Sequence, residues 1–244
     1  MRRATLLLAL LLLGAPPARA EAPACGAPAE YLEASALPAV ATGVLTGRLR
    51  VFATGSASVL GSGVSGEGAS WPARLESLLR ERRPDLDIRM EVRGGRGLTA
   101  QDQWRLIQEA LRRGPVELVI WQAGATEAIR GMPLDDMGEV LSEGLAYLRA
   151  RGVDVVLMDL QYSRFLRANA DVEPYRETMR MLGAAHGAAF FRRYDLMRAW
   201  VEAGTVDPER AARERRTVAV DRLNDCLARG LAAFLRSGSR EARR

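Results

Sequence analysis

The chain has 244 residues, 48% of them apolar, and a formal net charge of +5. That length and apolar content suit one large α/β domain with a substantial core rather than two small ones. Every basic residue is Arg, and no face or loop concentrates them, which argues against a phosphate-binding stripe and a nucleic-acid partner.

Residues 1–20 read as a secretory leader. Arg2 and Arg3 precede an apolar run from Thr5 to Leu13, and Ala18-Arg19-Ala20 forms a small-residue exit. Cleavage after Ala20 removes three arginines and leaves a charge of +2 on a chain exported to the periplasm or medium. No later stretch approaches the roughly 20 apolar residues of a spanning helix, so no integral membrane segment is expected after cleavage. Cys25 follows Pro23-Ala24 rather than the apolar run, which disfavours a lipid anchor. With Cys226 near the opposite end and an oxidising compartment, a Cys25–Cys226 disulfide is expected, clamping the N-terminal segment onto the last helix.

Residues 21–47 are rich in Ala and Pro and read as a wrapping loop with a short helix, residues 48–236 as the domain itself, and residues 237–244 as a basic tail. Apolar runs at Leu49–Ala53, Ile88–Val92, Val116–Trp121, Val153–Leu157 and, more weakly, Ala188–Phe191 predict five strands. Helical patterns separate them: Trp104, Ile107 and Leu111 share one face, as do Met137, Leu141, Leu145 and Leu148, and later Leu227, Leu231 and Phe234. Strand alternating with helix predicts a parallel sheet covered on both faces, with ligands gathering beyond the carboxyl ends of its strands. The turns assigned to that edge are 55–70, 93–99, 124–131 and 159–167.

Within them, Gly61 to Gly66 satisfies a G-x-G-x-x-G pattern, but it sits between strand and helix without opening the helix, so it reads as a pocket-rim loop and no cofactor or metal is expected. Asp159 and Gln161 read either as pocket-lining groups or as turn caps. Glu127 reads as a solvated loop carboxylate, with a surrogate acid or base as the sharper alternative. Trp121, Tyr162 and Trp200 read as core rather than as sugar-stacking rings, and the run Glu209–Arg216 as a solvated helical face.

Four short blocks carry the chemistry: Gly55-Ser56-Ala57-Ser58-Val59-Leu60-Gly61, the turn RGGRGLT holding Gly97, the strand and turn VIWQAGATEAIRG holding Gly124 and Thr126, and Asp221-Arg222-Leu223-Asn224-Asp225-Cys226-Leu227-Ala228. In order and content they resemble the SGNH (GDSL-type) hydrolase family over nearly all of the mature chain. The resemblance implies a three-layer α/β/α sandwich with a central parallel five-stranded sheet of flavodoxin-like type. It also implies hydrolysis of acyl or acetyl groups on small esters or acylated carbohydrates. Family chemistry needs a serine nucleophile, an oxyanion hole of Ser and Gly backbone N–H groups with an Asn amide, and a His braced by an Asp three residues earlier.

Here three of those positions are substituted. Ungapped, Ala57 takes the nucleophile position between Ser56 and Ser58; a one-residue shift makes Ser56 the nucleophile but puts Thr54 where the turn favours glycine. Thr126 replaces the oxyanion Asn. Asn224 replaces the His beside Asp221, and an amide cannot act as a general base near neutral pH. The single histidine, His186, falls at the amino end of the last strand, away from the reactive edge, and reads as structural. Loss of nucleophile or base in a serine triad costs on the order of 10⁶ in turnover. The sequence therefore predicts an esterase-family chain with catalysis lost or severely weakened, or else a non-catalytic carbohydrate- or ester-binding or scaffold module of the cell envelope. Were it active, Ser56 would attack, Gly97 and Thr126 would hold the oxyanion, and Glu127 or Asp221 would have to take the proton.

Overall fold

The computed structural model describes residues 24–244, so the leader expected at residues 1–20 lies outside the described residues. The expected strands form β1 (Arg48–Gly55), β2 (Asp87–Gly94), β3 (Leu118–Gln122), β4 (Asp154–Met158) and β5 (Ala189–Phe191). They pair in the order β2-β1-β3-β4-β5, parallel throughout, the flavodoxin-like order. Alternation along the strands sends Val51 and Ala53 of β1, Leu118 and Ile120 of β3, and Val156 and Met158 of β4 to one face. Phe52, Val119, Trp121, Val155 and Leu157 go to the other. Both faces are buried, as a parallel sheet requires, which explains why these strands read as continuous apolar runs.

The first face is covered by α1 (Pro38–Thr46), α2 (Trp71–Arg82), α8 (Arg193–Glu202) and α9 (Arg216–Glu241). The second is covered by α3 (Ala100–Arg113), α5 (Leu134–Ala150) and α7 (Glu173–His186), with the short α4 (Ala125–Arg130) and α6 (Arg164–Asn169) over the carboxyl edge. The result is the three-layer α/β/α sandwich. At Gly144 of α5 a Cβ would lie 2.7 Å from the Trp121 ring, so glycine is what lets this helix settle onto the sheet. Trp121 and Trp200 are core residues, as expected.

The N-terminal segment is tied down at two points. Cys25 and Cys226 form the expected disulfide, with Cα atoms 5.6 Å apart. Residues 237–241, set apart by sequence as a basic tail, continue α9; Gly238 is buried against Leu37, whose N–H donates to the Gly238 carbonyl.

At the amino edge, Asp154 Oδ2 accepts the Val40 N–H at 2.8 Å and so caps the first turn of α1. Burial pushes this carboxyl up to about 6, above the usual aspartate value near 3.9. A folded-state pKa above the unfolded one means that the group favours folding fully below about pH 4, and that this stability is lost as pH rises through 6. Asp154→Asn keeps an oxygen for Val40 and carries no charge. It is expected to be more stable than the parent by about 2 kcal/mol at pH 7 and nearly equal to it at pH 4, measured by urea unfolding. A variant–parent difference independent of pH would contradict the assignment.

Candidate functional site

β1 runs apolar to its last turn and delivers Ser56 to the carboxyl edge, where residues Ala57–Leu60 form one turn of 3₁₀ helix. Gly55 makes this possible, because a Cβ there would lie 2.7 Å from the Cβ of Gln122 on the neighbouring strand. Gln122, the last residue of β3 and 1% exposed, then organises both serines. Its Nε2 donates to Ser56 Oγ at 2.7 Å and its Oε1 accepts from Ser58 Oγ at 3.0 Å. The two hydroxyls lie 3.3 Å apart, and Arg193 Nη1 at the start of α8 donates to Ser58 Oγ at 3.2 Å. Ala57, the ungapped nucleophile position, opens the 3₁₀ turn between them.

Gly97 occupies the left-handed region at φ +77°, with Arg130 Nη2 3.0 Å from where a Cβ would stand. Gly124, at φ +85°, caps α4, and a Cβ there would lie 2.9 Å from Leu160 and 3.2 Å from Met179, in a backbone conformation that favours glycine. Thr126 follows, 7% exposed. Glu127 corrects the expectation of a solvated carboxylate: it is 2% exposed, and its Oε1 accepts the Ala100 N–H at the start of α3. Burial raises its pKa against the pull of these backbone hydrogen bonds. Among the described residues, no hydrogen bond joins it to Ser56.

The last block sits in the first turns of α9. Asn224 is buried, and both ends of its amide are committed to the backbone: Oδ1 accepts the Trp71 N–H at 2.9 Å, capping α2, and Nδ2 donates to the Val220 carbonyl at 2.8 Å. Asp221 accepts the Ser65 N–H at 2.9 Å and so holds the Gly61–Gly66 loop against α9. Partial burial works against it, but hydrogen bonds from Ser65 and the charge of Arg74 leave its carboxyl below the usual range. His186 ends α7 at the opposite edge, its Nε2 2.9 Å from Ser142 Oγ, the satisfied structural histidine expected.

Between these elements lies a cavity of about 180 Å³. Ser58 and Ser62 line it from the loop after β1, Gln161 and Tyr162 from the loop after β4, and Asn224 and Leu227 from α9. Ser56, Ala57, Gly97, Gly124 and Thr126 are not part of its lining. Gln161 thus faces the cavity, whereas Asp159 is fully buried behind it in an ion pair with Arg176. Tyr162 departs from the core reading: it lines the cavity, edge-on to Tyr194 at 5.1 Å with the Arg167 guanidinium over its ring. The run Glu209–Arg216 is largely exposed but becomes helical only from Arg213.

Gln122 and Arg193 were not singled out by sequence. Gln122 is a polar residue closing an otherwise apolar strand, and Arg193 opens α8 two residues after β5, so both fall at strand carboxyl ends where a site is expected.

The sheet order is that of the SGNH-type esterase fold, and solved structures similar to this chain share it. They include a variant acetyl xylan esterase from Geobacillus stearothermophilus at 18% identity, covering 78% of this chain and 94% of that one with a TM-score of 0.59. LAE5, an alpha/beta hydrolase enzyme from the metagenome of Lake Arreo, Spain, shares 18% identity over 78% of this chain and 96% of its own, with a TM-score of 0.58. AlinE4, an SGNH-hydrolase family esterase, shares 21% identity over 70% and 89%, with a TM-score of 0.52. No curated protein matches the chain. The chain belongs to the non-GDSL lipase-like family, whose model matches residues 24–241.

Proposed function

We propose that this chain is an exported member of its family that has lost ester hydrolysis, or retains it only severely weakened, and that it serves as a non-catalytic module binding a small ester or acylated carbohydrate of the cell envelope. One observation carries the reading: the hydrogen-bond partners of Ser56 and Ser58. They are an amide, each other and a guanidinium, and none of these accepts a proton near neutral pH. The position of the family's base supports the same reading. Asn224 there is turned to the backbone of α2 and does not reach either serine. Asp221 and Glu127, the carboxylates an active enzyme would have to recruit, are each bonded to a backbone N–H elsewhere. The Cys25–Cys226 disulfide supports export into an oxidising compartment. The ligand class is taken from the family and from the acetyl xylan esterase it resembles in fold.

A serine-directed fluorophosphonate tests the reading. The purified chain is expected to take up no label, and to release p-nitrophenol from p-nitrophenyl acetate at the rate of buffer alone. Stoichiometric labelling of Ser56, with turnover abolished in Ser56→Ala, would overturn it and restore the hydrolase.

A further inference from the structure

Arg193 carries a charge whose hydrogen-bonding capacity is nearly unused. Its side chain is 2% exposed; among the described residues, the only hydrogen bond it makes is from Nη1 to the neutral Ser58 hydroxyl, and its Nε–H is buried with no partner at all. Asp159, whose charge acts on Arg193, is taken by Arg176, which donates to it from both Nε and Nη2, and Asp195 is shared between Arg176 and Arg192. Burial pushes the Arg193 guanidinium down to about 10 against the pull of the Asp159 charge. A guanidinium withdrawn from water is normally matched by an anion and by bonds to its N–H groups. Both Arg193 and Ser58 line the 180 Å³ cavity.

We propose that this cavity binds the carboxylate of a small organic acid, with Arg193 as its counter-ion and Ser58 beside it. The proposal rests on the reading of this edge as a binding rather than a hydrolytic site, and it puts a free acid or an acidic sugar where that reading took its ligand class from the family. Carboxylate is favoured over other anions by three features. The planar fork of a guanidinium matches a carboxylate's two oxygens. The lining includes Met197, Val201, Val206, Leu223 and Leu227, apolar side chains that accommodate a short carbon skeleton. Asp207 and Glu209 also line the cavity, paired to Arg210 and Arg164 respectively, and their charge disfavours a dianion such as sulfate or phosphate more than a single carboxylate. The volume falls below the roughly 300–1,000 Å³ of sites for drug-sized ligands, so the ligand is an acid of a few carbons or the acidic end of one sugar residue.

Butyrate and glucuronate separate these two sources, with butyramide, glucose and sodium sulfate as controls at matched ionic strength. The acid that fits is expected to raise the melting temperature saturably, by about 5–10 °C at 100 times its Kd, and to bind in calorimetry. Arg193→Met is expected to weaken that binding about 100-fold or more, while the protein remains folded by circular dichroism. If that variant does not fold, Val220→Trp fills the cavity from α9, leaves Arg193 in place and is expected to abolish binding. The inference is overturned if neither acid binds, if butyramide or sulfate binds as well as the acid, or if either folded variant binds like the parent. Phosphonate labelling of Ser56 is a separate readout: a labelled protein that binds the acid refutes the non-hydrolytic reading alone, and an unlabelled one that binds neither acid refutes this inference alone.

Discussion

Cys25→Ser is expected to lower the stability of the folded chain by about 3–5 kcal/mol and its melting temperature by about 10 °C, as is reduction of the parent. The bridge joins residues 201 apart in sequence, so in the unfolded chain it forbids nearly every separation of the two ends. Loop-closure entropy grows with the logarithm of the enclosed length, which puts a loop of this size near the top of the range for one disulfide, about 5 kcal/mol. In the folded state the bridge holds the segment before α1 onto α9, where Cys226 is fully buried among Leu227, Ala228 and Leu231. Cys25 is the better member to replace because it is only half-buried, so a hydroxyl there leaves the α9 core intact. Scanning calorimetry with and without dithiothreitol measures the effect. A change under 1 kcal/mol would mean that the segment is held by packing alone, through contacts such as Leu37 on Gly238.

Arg176→Met is expected to cost a further 3–5 kcal/mol, the usual penalty for leaving a buried charge without its partner. Arg176 reaches Asp159 Oδ2 with Nη2 at 2.8 Å and Nε at 3.0 Å, places the same Nη2 3.1 Å from Asp195, and lies over the Tyr194 ring at 4.1 Å. Asp159 has no exposed surface, and burial already pushes its carboxyl up against the pull of Arg176. Without the guanidinium the carboxyl rises further and takes a proton on folding. The penalty is therefore largest at neutral pH and shrinks as pH falls, because a raised folded pKa returns stability on the acid side. Arg176→Met with Asp159→Asn removes both charges and is expected to cost less than Arg176→Met alone. Urea unfolding of the two variants at pH 5 and pH 7.5 checks both statements. A single variant within 1 kcal/mol of the parent would show that Arg193, the other cation near Asp159, takes over the pairing.

The strand-end serines follow from local pattern, and the chemistry around them does not. An apolar run followed by Gly and Ser is enough to place Ser56 and Ser58 at a strand's carboxyl end. Nothing local indicates that Gln122, 64 residues beyond Ser58, and Arg193, 135 beyond it, converge on the same hydroxyl. Glu127 shows the same limit in reverse. A polar residue in a Gly-flanked turn reads as solvated, and only the approach of α3 turns it into a buried cap for Ala100.

By itself the amino-acid sequence determined the alternation of five strands with helices, the parallel sheet, the edge where polar groups gather, the pairing of the two cysteines and the presence of a single histidine, placed away from that edge. Those are properties of hydrophobic periodicity, turn residues and residue inventory, all written within short windows or in simple counts. Tertiary structure alone decided that Asn224 caps α2, that Asp221 holds a glycine loop, that Asp159 is buried with Arg176, and that Arg193 stands under a cavity with an N–H unmet. Each of these depends on which side chain from a distant segment meets a backbone or polar group first, and long-range hydrogen bonding of that kind leaves no period in the chain.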